Sequence, residues 1–423
     1  MERALFTDLY ELTMAAGYAA AGKQDEVATF ELFVRRLPAN RDYLIAAGLA
    51  QAVEYLRGLR FRAEEIAWLR GLPQFQNAPA GFWDLLGGLR FTGDVLAMPE
   101  GTPVFAGEPL LTVRAPLIEA QIVETYLLSM VGFQTMIASK ASRVVRAAEG
   151  RAVVEFGTRR AHGPEAGLLA ARAAYIGGCV GTSNAEAGFR FGVPVYGTAA
   201  HSWVLSFADE TEAFRRMKKL LGEGTVHLID TYDAVEGARR AASLGGPVWG
   251  VRIDGGDLGM LTREAREILD KAGLRGAKIM VSGDLNEDRI SELLAAGAPV
   301  DAFGVGTDLA TSSDAPALAV VYKLVELESV GVKRFAAKLG EKRTMPGAKQ
   351  VFRYADRDVI GCAWERQEGK ALLEPVMAKG ELVCDLPDAH QACDRARAAV
   401  DRLPPGRVEY SEELMALAER TRP

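Results

Sequence analysis

Residues 151–337 predict an α/β fold around a parallel sheet, and two features of the sequence predict it. First, seven short apolar runs alternate with helical stretches, at spacings of roughly 20 to 30 residues that suit βα crossover units. Second, almost every run ends in glycine or in polar residues of chemical interest. A parallel sheet brings such ends to one side, where α/β proteins bind their ligands. Seven parallel strands can close into a barrel or stay open as a doubly wound sheet.

The elements follow in order. Thr7 to Ala20 reads as a helix with Leu9, Leu12 and Ala16 on its apolar face. From Phe91 to Arg114, Gly93, Pro99, Gly101, Pro103, Gly107 and Pro109 punctuate short apolar runs, the grammar of compact β structure with tight turns. A long helix from about Leu117 to Ala148, broken near Gly132, leads into the regular part. The predicted strands are Ala152–Phe156, Cys179–Gly181, Pro194–Tyr196, Val226–Ile229, Val248–Ile253, Lys278–Val281 and Ala302–Val305. The predicted helices between them are Gly163–Ile176, Ala185–Phe191, Asp209–Leu221, Ala234–Leu244, Thr262–Ala272 and Glu287–Ala296. After about Lys338 short strands return. The expected domains are a discontinuous β-rich one (1–116 with 338–423), a connecting helix (117–150) and the α/β domain (151–337).

Composition narrows the function classes. A net charge of −6 gives no reason to expect a nucleic-acid partner. The cysteines (Cys179, Cys362, Cys384, Cys393) show no C-x-x-C spacing, so neither a zinc site nor a disulfide framework is expected, and a reducing cytosol is. Glu2, Asp8 and Glu11 exclude an apolar signal core at the start. No stretch reaches the roughly 18 apolar residues of a spanning helix.

The strand ends carry the chemistry. Gly157-Thr158-Arg159-Arg160 follow the first run, Thr182, Ser183 and Asn184 the second, and Gly197, Thr198 and His201 the third. Asp230 ends the fourth. Asp254 ends the fifth, with Arg252 just inside it. Ser282-Gly283-Asp284 ends the sixth and Gly304-Val305-Gly306-Thr307 the seventh. One polar residue after a strand is ordinarily a helix cap, but seven consecutive ends of this kind point to a shared functional rim. Its chemistry is phosphate binding with a metal. Gly304-Val305-Gly306-Thr307 offers close backbone approach and N–H groups to a phosphate, or is simply a tight turn. Asp254 and Asp284 can hold Mg²⁺ directly or through water, accept ribose hydroxyls, or cap helices. Arg159 and Arg252 suit a pyrophosphate or a carboxylate by forked hydrogen bonding, or an ion pair within the rim. Of the four histidines, His227 sits in an apolar strand and reads as core, His390 as exposed and His162 as near the rim. His201 lies past a strand end on the rim itself.

Read together, these residues resemble the nicotinate phosphoribosyltransferase family. Thr7-Asp8-Leu9-Tyr10-Glu11-Leu12-Thr13-Met14 looks like its opening signature, and Asn40-Arg41-Asp42-Tyr43-Leu44 with Ala47-Gly48-Leu49 fits it. Glu155-Phe156-Gly157-Thr158-Arg159-Arg160-Ala161, Gly197-Thr198-Ala199-Ala200-His201-Ser202-Trp203, Ser282-Gly283-Asp284-Leu285 and Phe303-Gly304-Val305-Gly306-Thr307 are the specific pieces. Val321-Tyr322-Lys323-Leu324-Val325 and Pro346-Gly347-Ala348-Lys349-Gln350-Val351-Phe352-Arg353 complete the ordered set. Two departures stand out: Asp254-Gly255-Gly256-Asp257-Leu258 has glycine for the usual serine, as does Lys338-Leu339-Gly340.

The resemblance implies an irregular seven-stranded α/β barrel with a discontinuous β-rich α+β domain from both termini, working as a head-to-tail homodimer. It implies that nicotinate and phosphoribosyl pyrophosphate become nicotinate mononucleotide and pyrophosphate, with ATP hydrolysis and Mg²⁺, in NAD biosynthesis. The alternative is the nicotinamide-using enzyme on the same fold. A quinolinate-specific relative would be shorter and would need more cations, and the intact charged rim speaks against a mere metabolite-binding scaffold. Tyr10 would stack on the pyridine in the partner subunit's pocket, with Phe156 on the other face and Arg159 toward the carboxylate or the pyrophosphate. Asp230, Arg252, Asp254, Gly283, Asp284, Gly306 and Thr307 would bind phosphoribosyl pyrophosphate and its Mg²⁺, the metal falling to Asp254 and Asp284. Thr182, Asn184, Ser282 and Gly304 complete the expected substrate-binding set. His201 resembles the histidine that the family phosphorylates with ATP, and with Asp230 and Asp254 it forms the expected catalytic set. In nicotinamide-using relatives the place of Gly181-Thr182-Ser183-Asn184 resembles Gly-Thr-Asp, whose aspartate can accept a hydrogen bond from the amide. Here it is neutral.

Overall fold

Continuous apolar runs without alternation are the mark of strands covered on both faces, and in residues 137–316 they form one parallel sheet. A computed structural model describes residues 4–338, 340, 344–403 and 406–421. The sheet's strands are β1 (Ala152–Glu155), β2 (Gly181–Thr182), β3 (Val226–Leu228), β4 (Gly250–Ile253), β5 (Lys278–Val281) and β6 (Ala302–Val305), in the order β2-β1-β6-β5-β4-β3. All four residues of β4 and of β6 are buried. Gly250 lies so close to β5 that a Cβ would strike the Lys278 carbonyl.

The helices between the strands begin where their caps stand. They are α1 (Pro164–Ile176), α2 (Ala185–Phe191), α3 (His201–Leu205), α4 (Glu210–Leu221), α5 (Ala234–Ser243), α6 (Leu258–Lys271), α7 (Glu287–Ala295) and α8 (Thr307–Thr311). Asn184, Asp209, Asp233, Asp257 and Asn286 each accept a backbone N–H of the helix that follows. The cap at Asp257 starts α6 one turn earlier than the expected Thr262.

Two of the expected strands change. Pro194–Tyr196 is not a strand: Val195 makes a single parallel bridge to Thr182, and both Val195 and Tyr196 are half exposed. The second strand begins at Gly181 rather than Cys179, because Gly178, at φ +110°, is still turning the chain out of α1.

Residues 1–136 and 317–423 form one compact unit and 137–316 the other, the division falling within the helix Glu124–Ala147. No break occurs at Gly132. The helix is interrupted at Val123, between Leu117–Ile122 and Glu124–Ala147. The first unit holds a seven-stranded sheet built from distant parts of the chain. Val27–Val34 pairs antiparallel with both Pro109–Pro116 and Val320–Ser329, and Asp94–Ala97 pairs with Glu374–Ala378. Expected within residues 151–337, the run Val320–Ser329 instead fills an edge that Val27–Val34 leaves open. Lys349–Arg353 and Asp358–Cys362 lie in a separate four-stranded sheet. Of the departure at 338–340, Leu339 lies outside the described residues. No helix among the described residues is long and apolar enough to cross a membrane.

Candidate active site

Side chains two apart on a strand share a face, so Arg252 and Asp254 leave β4 on the same side. Arg252 is almost buried and its guanidinium is fully directed. Nε donates to Ser282 Oγ at 2.8 Å, Nη1 to Thr198 Oγ1 at 2.8 Å, and Nη2 to Asp254 Oδ1 at 2.5 Å. Its flat face lies over the Phe156 ring, 5.5 Å from the centroid. The fork expected to face a pyrophosphate is thus turned toward the protein's own groups.

Around this guanidinium the other rim residues collect. Ser282 donates to the same Asp254 oxygen. His201 Nε2 stands 3.7 Å from Asp254 Oδ2, and its Nδ1 is 3.1 Å from Thr231 Oγ1. Asp230 Oδ2 accepts the Asp254 N–H at 2.6 Å, while its Oδ1 is buried with no hydrogen-bond partner among the described residues. Burial works to raise the pKa of Asp254, but the Ser282 hydrogen bond and the Arg252 charge outweigh it and hold the carboxyl below its usual range.

The cap reading fails for three acids. Asp233 caps α5, Asp257 caps α6 and Asn286 caps α7, with distances of 2.8, 3.0 and 2.9 Å to Glu236 N, Met260 N and Arg289 N. Asp230, Asp254 and Asp284 are therefore free of that duty. Asp284 is exposed and lies at φ +46°, a left-handed conformation that aspartate tolerates better than most residues. Gly283 before it, at φ +89°, leaves no space for a Cβ beside the Asp254 carbonyl.

Asn184 is the contrary case. Its Oδ1 accepts Ala187 N at 2.9 Å as the cap of α2, and its Nδ2 donates to Thr158 Oγ1 at 3.2 Å. Thr182 is likewise turned inward and donates to Glu155 Oε2 at 2.5 Å. Between them Ser183 is exposed. Glu155, which the sequence reading did not single out, is fully buried. It accepts the Gly157 N–H and props the turn that carries Arg159. Burial raises its pKa, against the pull of those two hydrogen bonds. A carboxylate closing an apolar strand was the signal for it.

At the end of β6, Gly304 makes room for an aromatic ring: a Cβ there would stand 2.6 Å from Phe156 Cε2. A Cβ on Gly157 would meet the Gly306 carbonyl at 2.6 Å, so the first and last strand ends pack backbone to backbone. Thr307, which opens α8, and Arg159 are exposed. Tyr10 belongs to the other unit, where it stands half exposed on the helix Leu9–Ala20.

His227 is core, with neither ring nitrogen partnered, and burial pushes its pKa down to about 4. His162 and His390 are exposed. Among the described residues no group of three or more His, Cys, Asp or Glu side chains is arranged to hold a metal. Asp284 is exposed and caps no helix, which leaves its carboxylate available to a hydrated cation such as Mg²⁺, an ion that keeps waters and takes substrate phosphates as ligands.

Comparison with known proteins places the chain in a family. Residues 5–132 match the family model described as nicotinate phosphoribosyltransferase (NAPRTase) N-terminal domain, and 137–317 that of quinolinate phosphoribosyl transferase, C-terminal domain. A nicotinate phosphoribosyltransferase of Mycobacterium tuberculosis is 45% identical over 414 residues, 95% of this chain and 88% of that protein. One from Bacillus subtilis is 43% identical over 359 residues, 82% of this chain and 72% of its own length. The crystal structure of human nicotinic acid phosphoribosyltransferase superposes with a TM-score of 0.84 at 28% identity, covering 98% of this chain and 99% of the human one.

Proposed function

This chain belongs to the nicotinate phosphoribosyltransferase family, and we propose that it makes nicotinate mononucleotide from nicotinate and phosphoribosyl pyrophosphate on the strand-end rim of residues 137–316. The observation that carries the site is the trio Asp230, Asp254 and Asp284, none of them a helix cap, with Asp230 and Asp254 joined to each other and Asp254 to Arg252. Product analysis with nicotinate and nicotinamide offered together, with and without ATP, tests the reading. Exclusive use of nicotinamide would replace it with the amide-using activity.

The pyridine nitrogen already has a free lone pair, so no strong base is required. The task is to align it with C1 of the ribose as pyrophosphate departs through an oxocarbenium-like state. Phe156, backed by Gly304 and by the Arg252 guanidinium, offers a flat face for the ring. Arg159 is the exposed cation for its carboxylate. The Asp230 carboxylate can stabilise positive charge on the ribose. Gly283, Gly304, Gly306 and Thr307 supply close backbone approach for phosphates, and Ser282 and Thr182 hold neighbouring groups in place. Mg²⁺ at Asp254 and Asp284 would supply charge stabilisation on the leaving pyrophosphate.

The finer architecture belongs to the same proposal. Taking Pro194–Tyr196 between β2 and β3, the sheet runs in cyclic sequence order, with the first strand beside the last. A seven-stranded irregular barrel would close between that segment and β3. The domain division into a discontinuous β-rich part and a barrel, the shared-site homodimer that brings Tyr10 to a partner's pocket, and a cytoplasmic setting go with it. ATP would phosphorylate His201, whose ring is oriented by Thr231 at Nδ1.

A further inference from the structure

Lys140 is a lysine in the interior. It lies on the helix Glu124–Ala147 among buried Ile137, Ala138 and Ala141, and only 1% of it is exposed. A buried ammonium persists only where partners replace its water. Three do so here: Glu287 Oε2 at 2.5 Å, Asp308 Oδ2 at 2.5 Å and Asp314 Oδ1 at 3.0 Å. Burial disfavours the charge, but hydrogen bonds to Asp308 and Glu287 more than restore it and hold the pKa above the ordinary value. Arg143 Nε adds a contact to Glu287 Oε1 at 3.1 Å.

The three acids have a common address. Glu287 opens α7, just past the Ser282-Gly283-Asp284 loop that leaves β5. Asp308 follows Thr307 in α8, directly after Gly304-Val305-Gly306, and Asp314 lies in the turn beyond α8. One buried cation thus fastens the segments leaving β5 and β6, the two loops assigned to phosphate. Lys140 is the cation that these three carboxylates share, beside loops that would receive a polyanion.

We infer that Lys140 is a positioning residue for phosphoribosyl pyrophosphate: it never touches substrate, but fixes the Asp284 and Gly306-Thr307 loops and cancels the acidic charge behind them. The inference rests on the substrate reading given above. The test uses the full-length protein, with folding checked by circular dichroism. Lys140→Met should raise KM for phosphoribosyl pyrophosphate by about tenfold or more while KM for nicotinate stays within about twofold. It should weaken calorimetric binding of inorganic pyrophosphate with Mg²⁺ to a similar degree. Lys140→Arg should restore much of both, and so should adding Asp314→Asn to Lys140→Met, which removes one of the negative charges that Lys140 had faced and keeps the test open if the single variant folds poorly. A folded Lys140→Met protein with wild-type KM and pyrophosphate binding would overturn the inference. So would equal rises in both KM values that neither Lys140→Arg nor Asp314→Asn relieves. Failure of the wild-type protein to use nicotinate would instead overturn the substrate reading, and the pyrophosphate arm would still decide the role of Lys140.

Discussion

The Arg252 guanidinium, inside β4, and the Asp254 carboxylate, just past its end, meet at 2.5 Å and are tied to the end of β5 by Ser282, which bonds both. The pair is a structural unit before it is a binding unit: Arg252 also reaches Thr198, on the segment that carries His201. Arg252→Lys keeps the charge but loses the fork. It is expected to lower kcat/KM by about a hundredfold, roughly 3 kcal/mol, with both substrates affected. An effect confined to one substrate would show that the contact network is incidental.

ATP is expected to leave a phosphoryl group on His201, the rim histidine held by Thr231 and facing Asp254. Radiolabel transferred from ATP should be labile in acid and stable in base, and absent from His201→Ala. Label that survives in that variant would move the site elsewhere.

Asp284 is not the cap of α7, because Asn286 is. Asp284→Asn should therefore leave thermal stability nearly unchanged, since asparagine also tolerates the left-handed backbone at this position. Its KM for phosphoribosyl pyrophosphate should rise by about tenfold. Unchanged kinetics would remove Asp284 from the site.

His227 gives a pH signature. Burial, with help from the Lys218 charge, lowers its pKa from the ordinary 6.5 to about 4. The unfolded chain then binds this proton more readily than the folded one. The neutral ring's full stability is present above about pH 6.5, is lost as the pH falls through this window, and changes no further below about pH 4. The span is worth at most about 3 kcal/mol. His227→Leu should flatten denaturant-measured stability between pH 6.5 and 4, and a slope identical to wild type would exclude His227 as its source.

Much of this site was legible because its residues sit at strand ends, and strands buried on both faces announce themselves as unbroken apolar runs, as in β4 and β6. What one residue does at such an end was not legible. Asp254 and Asn184 occupy equivalent places in sequence, yet one is free and the other caps a helix, and the difference is only where the next helix starts. Pairing direction was also hidden: Val320–Ser329 starts with an apolar run, but its partners are the antiparallel Val27–Val34 and Val332–Phe335. Lys140 gave one faint sign, a lysine within the apolar helix stretch Met136–Ala141, and its three acid partners are between 147 and 174 residues away, beyond any local pattern.

Ser183, rather than Asn184, is expected to set the choice between acid and amide. The sequence drew attention to the neutral pair Ser183-Asn184, and the structure separates them. Asn184 spends both polar ends inside the unit, on Ala187 and Thr158, whereas Ser183 is exposed between two inward-facing neighbours. An aspartate at 183 would set a negative charge where a nicotinate carboxylate is to approach the Phe156 and Arg159 segment. Two unit charges about 4 Å apart cost roughly 4 kcal/mol at an effective dielectric near 20, and less as water enters. Ser183→Asp is therefore expected to weaken nicotinate use by at least about tenfold and to spare or improve nicotinamide use. Asn184→Asp is the control: it keeps the acceptor for Ala187 but loses the donor to Thr158, so it should cost about 1 kcal/mol of stability with substrate preference unchanged. Steady-state kinetics on both pyridines with each folded variant decides the matter. A preference that shifts with Asn184 and not with Ser183 would return discrimination to the capping residue, and a preference that shifts with neither would leave it to Arg159.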